Sequence, residues 1–359
     1  MKILIPALGF DRSGGYRVLA RLASEWIRLG AQAQFLVPAG SGAPYFPTSA
    51  EILESDPLGR ITSGGGEVRP PARFEGARRL LCLVAGLRGI ANGHDVILAN
   101  HSLTAWPAMV ARGKAIRRFY YIQADEAEYF RMERQHVKRL LAEASYRLPL
   151  YQISNSPTYA DRGAIRAIAT IPPGVDFSDF HPKPVPRDFS DGQPVVIGCI
   201  GRREPSKGIS YALAAFRSLH AYDPRFRLRV AYGNLPEPFD HSAMEIVHPG
   251  NDRELADFYR NIDILVAPGT VQHGAPHYPV MEAMACATPV VTTGYMPANP
   301  ENSWIVANRS PDAIVEAVMS LVQDKCYRER VARALEAIAS FEWSAVASRM
   351  LDLFLDRGR

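Results

Sequence analysis

Two basic side chains stand in a glycine-bounded loop that could hold an anion. The loop reads Gly201-Arg-Arg-Glu-Pro-Ser-Lys207-Gly208 and lies between a predicted strand and a predicted helix. Glycine lets the backbone approach a ligand, and a helix N-terminus offers N–H groups and the positive end of the helix dipole. The Arg202 guanidinium and the Lys207 ammonium add two positive charges. Although it is neither a Walker loop nor a GxGxxG fingerprint, the loop predicts a diphosphate site, with an ordinary surface turn as the alternative.

A second segment, residues 276–291, offers groups for the rest of a nucleotide. A proline-bearing loop opens a short predicted helix that leads into a buried strand. The first N–H groups of such a helix, at Tyr278 and Val280, are expected to be free for a ligand. Glu282 lies one turn further along, and its two carboxylate oxygens can accept hydrogen bonds from a pair of ribose hydroxyls. The alternative is that Glu282 only interacts with the helix dipole.

Two segments of the first half are candidates for binding on the opposite side. Gly14 and Gly15 follow the first predicted strand, where the backbone can approach a ligand. Gln123, Asp125 and Glu126 follow another strand. Because ligands of α/β sheets bind at the carboxyl ends of the strands, these polar groups are candidates for a sugar or a polar acceptor. Ordinary solvated loops are the alternative for both segments.

The first half is also basic and amphipathic. Its apolar stretch Leu80–Leu87 is flanked by arginines, and further cations follow along the chain. Basic amphipathic stretches attract anionic lipid surfaces, while solvated helix faces are the alternative. These cations are Arg78, Arg79, Arg88, those of Arg112–Arg118, Arg131, Arg134, Lys138 and Arg139.

Short apolar runs alternate with helix-period stretches along the chain, which predicts βαβ units and parallel sheets. A proline-rich break at Phe180–Pro194 separates two such halves. The predicted fold class is therefore α/β, with two doubly wound Rossmann-like domains facing a cleft. Ser41–Pro47 and Thr62–Pro71 are predicted surface loops, and helices are predicted from about Lys207 and after Ser310-Pro311. The predicted strands are Ile3–Leu8, Gln34–Val37, Asp95–Ala99, Phe119–Ile122, Leu150–Ile153, Val195–Ile200, Leu228–Ala231, Ile246–His248, Ile264–Ala267, Pro289–Thr292 and Trp304–Val306.

Composition excludes several classes of protein. The 359 residues include 41 Lys+Arg and 37 Asp+Glu, and 47% are apolar, which argues against a disordered chain. The mild net charge of +4, without a basic stripe interleaved with aromatics, argues against nucleic acid as a partner. Apolar runs are too short for a membrane span or a signal-peptide core. Without zinc-ligand spacing, the four cysteines predict buried free thiols and a cytoplasmic location: Cys82, Cys199, Cys286 and Cys326.

Taken together and in order, several segments resemble the GT-B glycosyltransferases of retaining family 4, the glycosyl transferases group 1. The resemblance runs nearly end to end and implies three parts: residues 1–182 as an acceptor-binding Rossmann-like domain, 183–340 as a nucleotide-sugar-binding domain, and 341–359 as a helix that packs back on the first. The segments that carry it are Ser13–Ala23, Ile171–Pro182, Gly201–Gly208, Glu282–Val291 and Phe341–Ala347.

The resemblance implies a retaining sugar transfer from a nucleoside diphosphate sugar to a hydroxyl of a glycan, lipid-linked or polysaccharide acceptor. Arg202 and Lys207 would hold the diphosphate and Glu282 the ribose, with no metal or further cofactor. Together with the basic first half, this function predicts peripheral contact with the cytosolic face of a membrane. Further donor contacts would come from Gly201, Gly233 near the base, Asn251 near the base, His273, His277, Tyr278, Pro279 and Val280.

Two departures from the family pattern concern sugar recognition. The family's E-x7-E pattern has its first acid where this chain has Gly274, so His273 or His277 could take over part of the sugar contact. Gln123 stands about where many members have a histidine, and it can bond a hydroxyl but cannot titrate. A GT-B-shaped binder without turnover and a nucleotide-sugar epimerase are the alternative functions. A nicotinamide dehydrogenase is not favoured, because no GxGxxG follows the first strand of either half.

Overall fold

The computed structural model describes residues 1–10, 14–65, 68, 74–111, 113, 116–182, 189 and 191–356. The chain divides into two compact units. The first contains Met1–Gly174 together with Trp343–Arg359, and the second contains Val175–Glu342. The domain roles inferred from the resemblance, with boundaries after residues 182 and 340, stay predictions. Seven residues of the proline-rich break, 183–188 and 190, lie outside the described residues.

The elements alternate along the chain as the sequence predicts. The strands are β1 (Lys2–Pro6), β2 (Gln32–Pro38), β3 (Glu51–Ser55), β4 (Ile61–Ser63), β5 (Val96–Ala99), β6 (Arg117–Ile122), β7 (Tyr151–Ser154), β8 (Ala167–Thr170), β9 (Val195–Ile200), β10 (Phe226–Ala231), β11 (Met244–Val247), β12 (Ile264–Ala267), β13 (Val290–Thr292) and β14 (Trp304–Ile305). The α-helices are α1 (Gly14–Arg28), α2 (Glu75–Ile90), α3 (Ser102–Val110), α4 (Glu126–Met132), α5 (His136–Ser145), α6 (Ile209–Tyr222), α7 (Asp252–Arg260), α8 (Tyr278–Ala285), α9 (Pro311–Gln323), α10 (Tyr327–Ala339) and α11 (Trp343–Asp356).

The first sheet has the order β4-β3-β2-β1-β5-β6-β7-β8. Its neighbours pair in parallel except β3 and β4, which are antiparallel. The chain moves outward from β1 to β2 and β3, then returns as β5 on the other side of β1. The strand order therefore reverses between β1 and β5, where α/β sheets form a crevice at the carboxyl ends of the strands.

Helix α11 belongs to the first unit and packs on α1. The Trp26 indole donates to the Ala347 carbonyl at 3.2 Å, and its ring lies 5.7 Å from the ring of Phe354. Phe354 also contacts Phe119 of β6 at 4.6 Å between ring centroids. The last helix thus covers apolar side chains of the first helix and the first sheet, and these side chains are fully buried.

The second sheet has the order β11-β10-β9-β12-β13-β14 and is parallel throughout. Apolar clusters cover both of its faces. One cluster joins Cys199 and Val230 to Phe216 of α6, and the other joins Leu265 to Met284 of α8. Strands buried on both faces explain why this half reads as continuous apolar runs rather than alternating ones.

Several predicted element bounds need correction. Thr62 and Ser63, predicted in a loop, form β4, and β3 and β8 were not predicted. The helix predicted from about Lys207 begins at Ile209, after a 3-10 turn over Pro205–Lys207. Cys326 is exposed, whereas the other three cysteines are buried as predicted, and all four thiols are free. The predicted start of α9 is confirmed, since the Ser310 side chain accepts from the Ala313 N–H.

Within the part of the chain that the structure describes, no helix combines the length and the apolar character needed to cross a bilayer.

The packing of α11 makes a stability prediction. Phe354→Ala should lower the free energy of unfolding by about 3–5 kcal/mol, because it removes a buried ring and leaves a cavity. Leu355→Ala is the matched control, since the Leu355 side chain is 54% exposed and should change stability by less than about 0.5 kcal/mol. Urea denaturation measures both. Similar small changes in the two variants would contradict the described packing of α11.

Candidate functional site

The strand order of the second sheet reverses between β9 and β12, and both predicted donor segments lie there. The Gly201–Gly208 loop follows β9, and residues 268–277 follow β12. The two loops are joined directly, because the Thr270 N–H donates to the Ser206 carbonyl at 2.8 Å. The sheet topology therefore brings together segments that are far apart in sequence, at the carboxyl-end crevice where such sheets bind ligands.

Glycines at both ends of the first loop permit close backbone packing. Gly208 has a φ of +71°, and a Cβ atom there would lie 1.9 Å from the Pro268 carbonyl oxygen. A Cβ atom on Gly201 would lie 2.8 Å from the Asn234 nitrogen and 3.0 Å from the Ala231 carbonyl oxygen. Glycine is therefore needed at both positions because the loop packs against the backbone of other segments of the protein.

The two cations of this loop, Arg202 and Lys207, are close enough for their charges to interact. Burial lowers the pKa of Lys207, the positive charge of Arg202 lowers it further, and Glu204 acts in the opposite direction. Arg202 itself is exposed. A partly dehydrated ammonium beside a second cation is stabilised by an anion that approaches both. Helix α6 begins directly after Gly208, and its N-terminal dipole favours the same charge.

His277 faces these cations from the β12 side. Burial lowers its pKa well below the ordinary value, and the charges of Lys207 and Arg202 act in the same direction. The imidazole is therefore neutral at neutral pH. Its ring stacks on Tyr295, with centroids 4.6 Å apart. Its Nδ1 atom is buried and has no hydrogen-bond partner among the described residues, so it can bond a ligand hydroxyl.

His273 differs from His277 in its contacts. Its Nε2 lies 3.1 Å from the Gly269 carbonyl oxygen, and its ring meets Tyr295 edge-on at 5.8 Å. The Tyr295 hydroxyl in turn donates to the Val271 carbonyl at 2.6 Å. Of the two histidines that stand near Gly274, His273 therefore supports the loop, whereas His277 keeps a ring nitrogen available.

Glu282 is buried within α8. It is 2% exposed and accepts a hydrogen bond from the Tyr259 hydroxyl at 3.0 Å. The prediction of a free N–H at Val280 was wrong, because that N–H donates to the His277 carbonyl at 2.9 Å. The helix turn closes one residue earlier than assumed, and Pro279 beside it has no N–H to offer. Tyr278 begins the helix and is half-buried.

The predicted base-side residues follow the next strands along the sheet. Gly233 follows β10, and a Cβ atom there would lie 2.8 Å from the Ile246 side chain. Asn251 precedes α7, where its side chain accepts from the Glu254 N–H at 2.9 Å and donates to the Glu254 carboxylate at 2.8 Å. The Asn251 side chain thus caps a helix, and its carbonyl also accepts from the Leu255 N–H at 3.0 Å.

In the first unit, the structure joins two of the predicted segments. The Gln123 amide donates to the Gly15 carbonyl at 3.3 Å, although 108 positions separate them in sequence. Gly14 is the first residue of α1. The remainder of the predicted glycine loop, residues 11–13, lies outside the described residues. The first helix and the end of β6 are thereby brought together at the carboxyl edge of the first sheet.

Asp125 is buried, and burial raises its pKa against the opposing effect of Arg162. The Arg162 guanidinium lies 3.8 Å from Asp125 and 3.0 Å from Glu128. These residues line a cavity of about 270 Å³ together with Arg131 and Arg147. The predicted acidic group therefore sits in a polar cavity where its charge is partly neutralised.

Glu126 caps α3. It accepts from the Ser102 N–H at 2.9 Å and from the Ser102 hydroxyl at 2.6 Å, and it lies 3.3 Å from His101 Nε2. His101 and Ser102 were missed by sequence reasoning. The signal that could have found them is their position just after the predicted strand Asp95–Ala99, at its carboxyl end. Glu126 thus links the N-terminus of α4 to that of α3, and its predicted acceptor-side role stays a prediction.

The comparisons with known proteins agree with this architecture. The α/β fold with two parallel-sheet units matches that of the GT-B glycosyltransferases, which confirms the predicted fold class. Residues 194–324 match the family model described as Glycosyl transferases group 1. Sucrose-phosphate synthase from Thermosynechococcus elongatus superposes with a TM-score of 0.77, covering 99% of each chain at 18% identity. Anabaena Alr3699/HepE, in complex with UDP and glucose, superposes with a TM-score of 0.69, covering 99% of this chain and 100% of that one at 18% identity.

Two relatives by sequence are D-inositol 3-phosphate glycosyltransferases. That of Corynebacterium glutamicum (strain R) is 29% identical over 182 residues, which are 45% of this chain and 43% of the relative. The second enzyme of this name from Catenulispora acidiphila is 29% identical over 217 residues, 52% of this chain and 50% of the relative. The aligned part of the chain thus spans about half the length of the curated relatives it matches.

The environment of His277 predicts a pH dependence of stability. Its folded-state pKa lies well below that of an unfolded histidine, about 6.5, so the unfolded chain binds a proton that the folded chain does not. Stability should therefore fall as the pH drops below about 6.5. His277→Gln should reduce this slope by up to about 1.4 kcal/mol per pH unit. Denaturation of both proteins from pH 8 downward measures it, and parallel curves would contradict a neutral buried His277.

Proposed function

We propose that the chain is a retaining glycosyltransferase that moves a sugar from a nucleoside diphosphate sugar to a hydroxyl group of a glycan, lipid-linked or polysaccharide acceptor. The observation that carries the proposal is the pair Arg202 and Lys207 at the reversal point of the second sheet. A group 1 family match over the same residues and solved neighbours of GT-B fold support it. The chemistry would leave a nucleoside diphosphate as product.

The two cations supply the electrostatic part of this reaction. As the bond between the sugar and the diphosphate breaks, negative charge grows on the departing phosphate oxygen. Arg202 offers a planar fork of donors and Lys207 a compact charge, so together they would stabilise that oxygen without a metal ion. The two cations repel each other less once an anion lies between them. They would therefore stabilise the diphosphate most strongly as its negative charge grows in the transition state. With retention, the donor phosphate itself can help to take the acceptor proton.

Donor recognition would be divided among the neighbouring groups. Glu282 would accept hydrogen bonds from the ribose hydroxyls, and the backbone near Gly233 and Asn251 would approach the base. His277 would contact the donor sugar through its ring nitrogen, in place of the carboxylate that the family pattern has at position 274. The Anabaena neighbour was solved with UDP and glucose, which supports a uridine donor as the first to test.

The first unit would supply the acceptor side. Gln123, with Gly15 bonded to it, and Asp125 in its polar cavity are the candidate contacts. The curated relatives are named for a phosphorylated inositol, which supports a polyhydroxylated acceptor. The cations of the first half fit peripheral contact with an anionic membrane on its cytosolic face, where a lipid-linked acceptor would be presented.

One observation favours a second function. Gly274 supplies no carboxylate at the position where the family pattern has an acid, so a nucleotide or glycan binder without turnover is the alternative. An epimerase of the same architecture is a further enzyme possibility. Incubation with a panel of UDP, GDP, dTDP and ADP sugars separates the three. Transfer requires an acceptor, epimerisation proceeds without one, and a binder raises the unfolding temperature without any turnover.

The diphosphate role makes a matched-variant prediction. Arg202→Ala and Lys207→Ala should each weaken binding of the matching nucleoside diphosphate about 10- to 100-fold, because each removes a charged hydrogen bond. Arg203→Ala is the control, since Arg203 is an exposed cation of the same loop. Isothermal titration calorimetry measures the three. Equal affinities in all variants would remove the proposed diphosphate site.

The ribose role is tested by comparing two ligands. Glu282→Gln keeps the size of the side chain but replaces one acceptor oxygen by a donor, so nucleoside diphosphate should bind more weakly while pyrophosphate binds as before. Competition binding of the two ligands gives both affinities. A loss of the same size for pyrophosphate would mean that Glu282 acts on the loop rather than on the ribose.

A further inference from the structure

Helix α5 turns its large apolar side chains outward. Val137, Leu140 and Leu141 are 72%, 58% and 40% exposed, and their spacing of three and four residues sets them on one face. The residues that α5 buries are Ala142 and Ser145, which are small. A surface helix of a globular protein normally buries its large apolar residues and exposes the polar ones. This helix has the opposite arrangement.

Helix α3, which packs against α5, repeats the pattern. Trp106, Met109 and Val110 have the same spacing and are 37%, 37% and 41% exposed, while Ala105 and Ala108 are fully buried. Two helices that pack against each other therefore both expose large apolar side chains. We name this surface the α3–α5 face, formed by Trp106, Met109, Val110, Val137, Leu140 and Leu141.

Positive charge accompanies the apolar side chains. Residues 131–143 contain four Lys or Arg and two Glu, a net charge of 4 − 2 = +2. Arg131 of α4, Arg134 before α5 and Lys138 of α5 are exposed. The Lys138 ammonium also lies over the Phe130 ring, 5.8 Å from its centre, so charge and apolar surface adjoin each other here.

The combination identifies the chemistry of the partner. Protein–protein interfaces are depleted of lysine near their apolar centre, whereas helices that lie in a membrane interface combine Trp, Leu and Val with Lys and Arg. We propose that the α3–α5 face inserts its apolar side chains into the headgroup region of an anionic lipid surface, with Arg131, Arg134 and Lys138 on the lipid phosphates. This rests on the membrane contact of the proposed function and goes further, because it names the surface and requires apolar insertion.

Vesicle sedimentation of the full chain tests the inference. The protein should bind vesicles of phosphatidylcholine mixed with phosphatidylglycerol more tightly than vesicles of phosphatidylcholine alone. Leu140→Asp should weaken binding to the anionic vesicles more than about tenfold, since it replaces an inserted apolar group by a charge. Lys138→Ala should weaken it about fivefold. Leu58→Asp is the matched control, because Leu58 is 77% exposed and belongs to the turn between β3 and β4 rather than to α3 or α5.

The same variants distinguish apolar insertion from a purely electrostatic contact and from a protein interface. If Leu140→Asp binds like Leu58→Asp while Lys138→Ala binds weakly, the contact is purely electrostatic, and apolar insertion is overturned while the proposed membrane contact stands. If the wild type binds no vesicles but forms a dimer that Leu140→Asp dissociates, as measured by light scattering, the face is a protein interface and the inference is overturned. Sugar transfer to a water-soluble acceptor should be unchanged in Leu140→Asp, so a failure of the proposed transfer is detected separately.

Discussion

The close approach of two loop backbones at Gly208 and Pro268 is the constraint on which the candidate site depends. It fixes Arg202 and Lys207 beside His277, in surroundings where burial and like charge disfavour the Lys207 ammonium. Folding supplies the free energy that holds these groups together before any anion arrives. The candidate site is therefore preorganised, and under the proposed function an anion would gain electrostatic stabilisation there without a large reorganisation of the loop.

Much of the fold could be predicted because the strands are parallel and buried on both faces. Such strands read as unbroken apolar runs, and the predicted Ile264–Ala267 coincides with β12. The missed strands β3 and β4 lie at the edge of the first sheet, where Glu51-Ile-Leu-Glu-Ser carries charge and the three-residue β4 carries little signal. Edge strands are stabilised by pairing with a neighbour, which local sequence does not reveal.

The sequence predicts which residues form the candidate site, but not how buried they are or which side chains they contact. The sequence identifies Arg202, Lys207 and Glu282 by motif, yet the burial of Glu282 against Tyr259 arises from a contact between α7 and α8. In the same way, the stacking of His277 on Tyr295 joins residues from two different loops. Glu126 likewise reaches α3 only because β6, which precedes Glu126, pairs with β5, which precedes α3. Such properties depend on tertiary packing, because a motif specifies side-chain type but not what surrounds it.

The return of α11 to the first unit has a consequence for the order of folding. The second unit is one continuous stretch, Val175–Glu342, whereas the first needs residues from both sides of that stretch. During synthesis, Trp26 and Phe119 can acquire their covering ring from Phe354 only after the whole second unit has left the ribosome. The second unit can therefore be complete before the first, which still lacks its covering helix. Until then, the apolar surface that α11 covers is exposed and prone to aggregation.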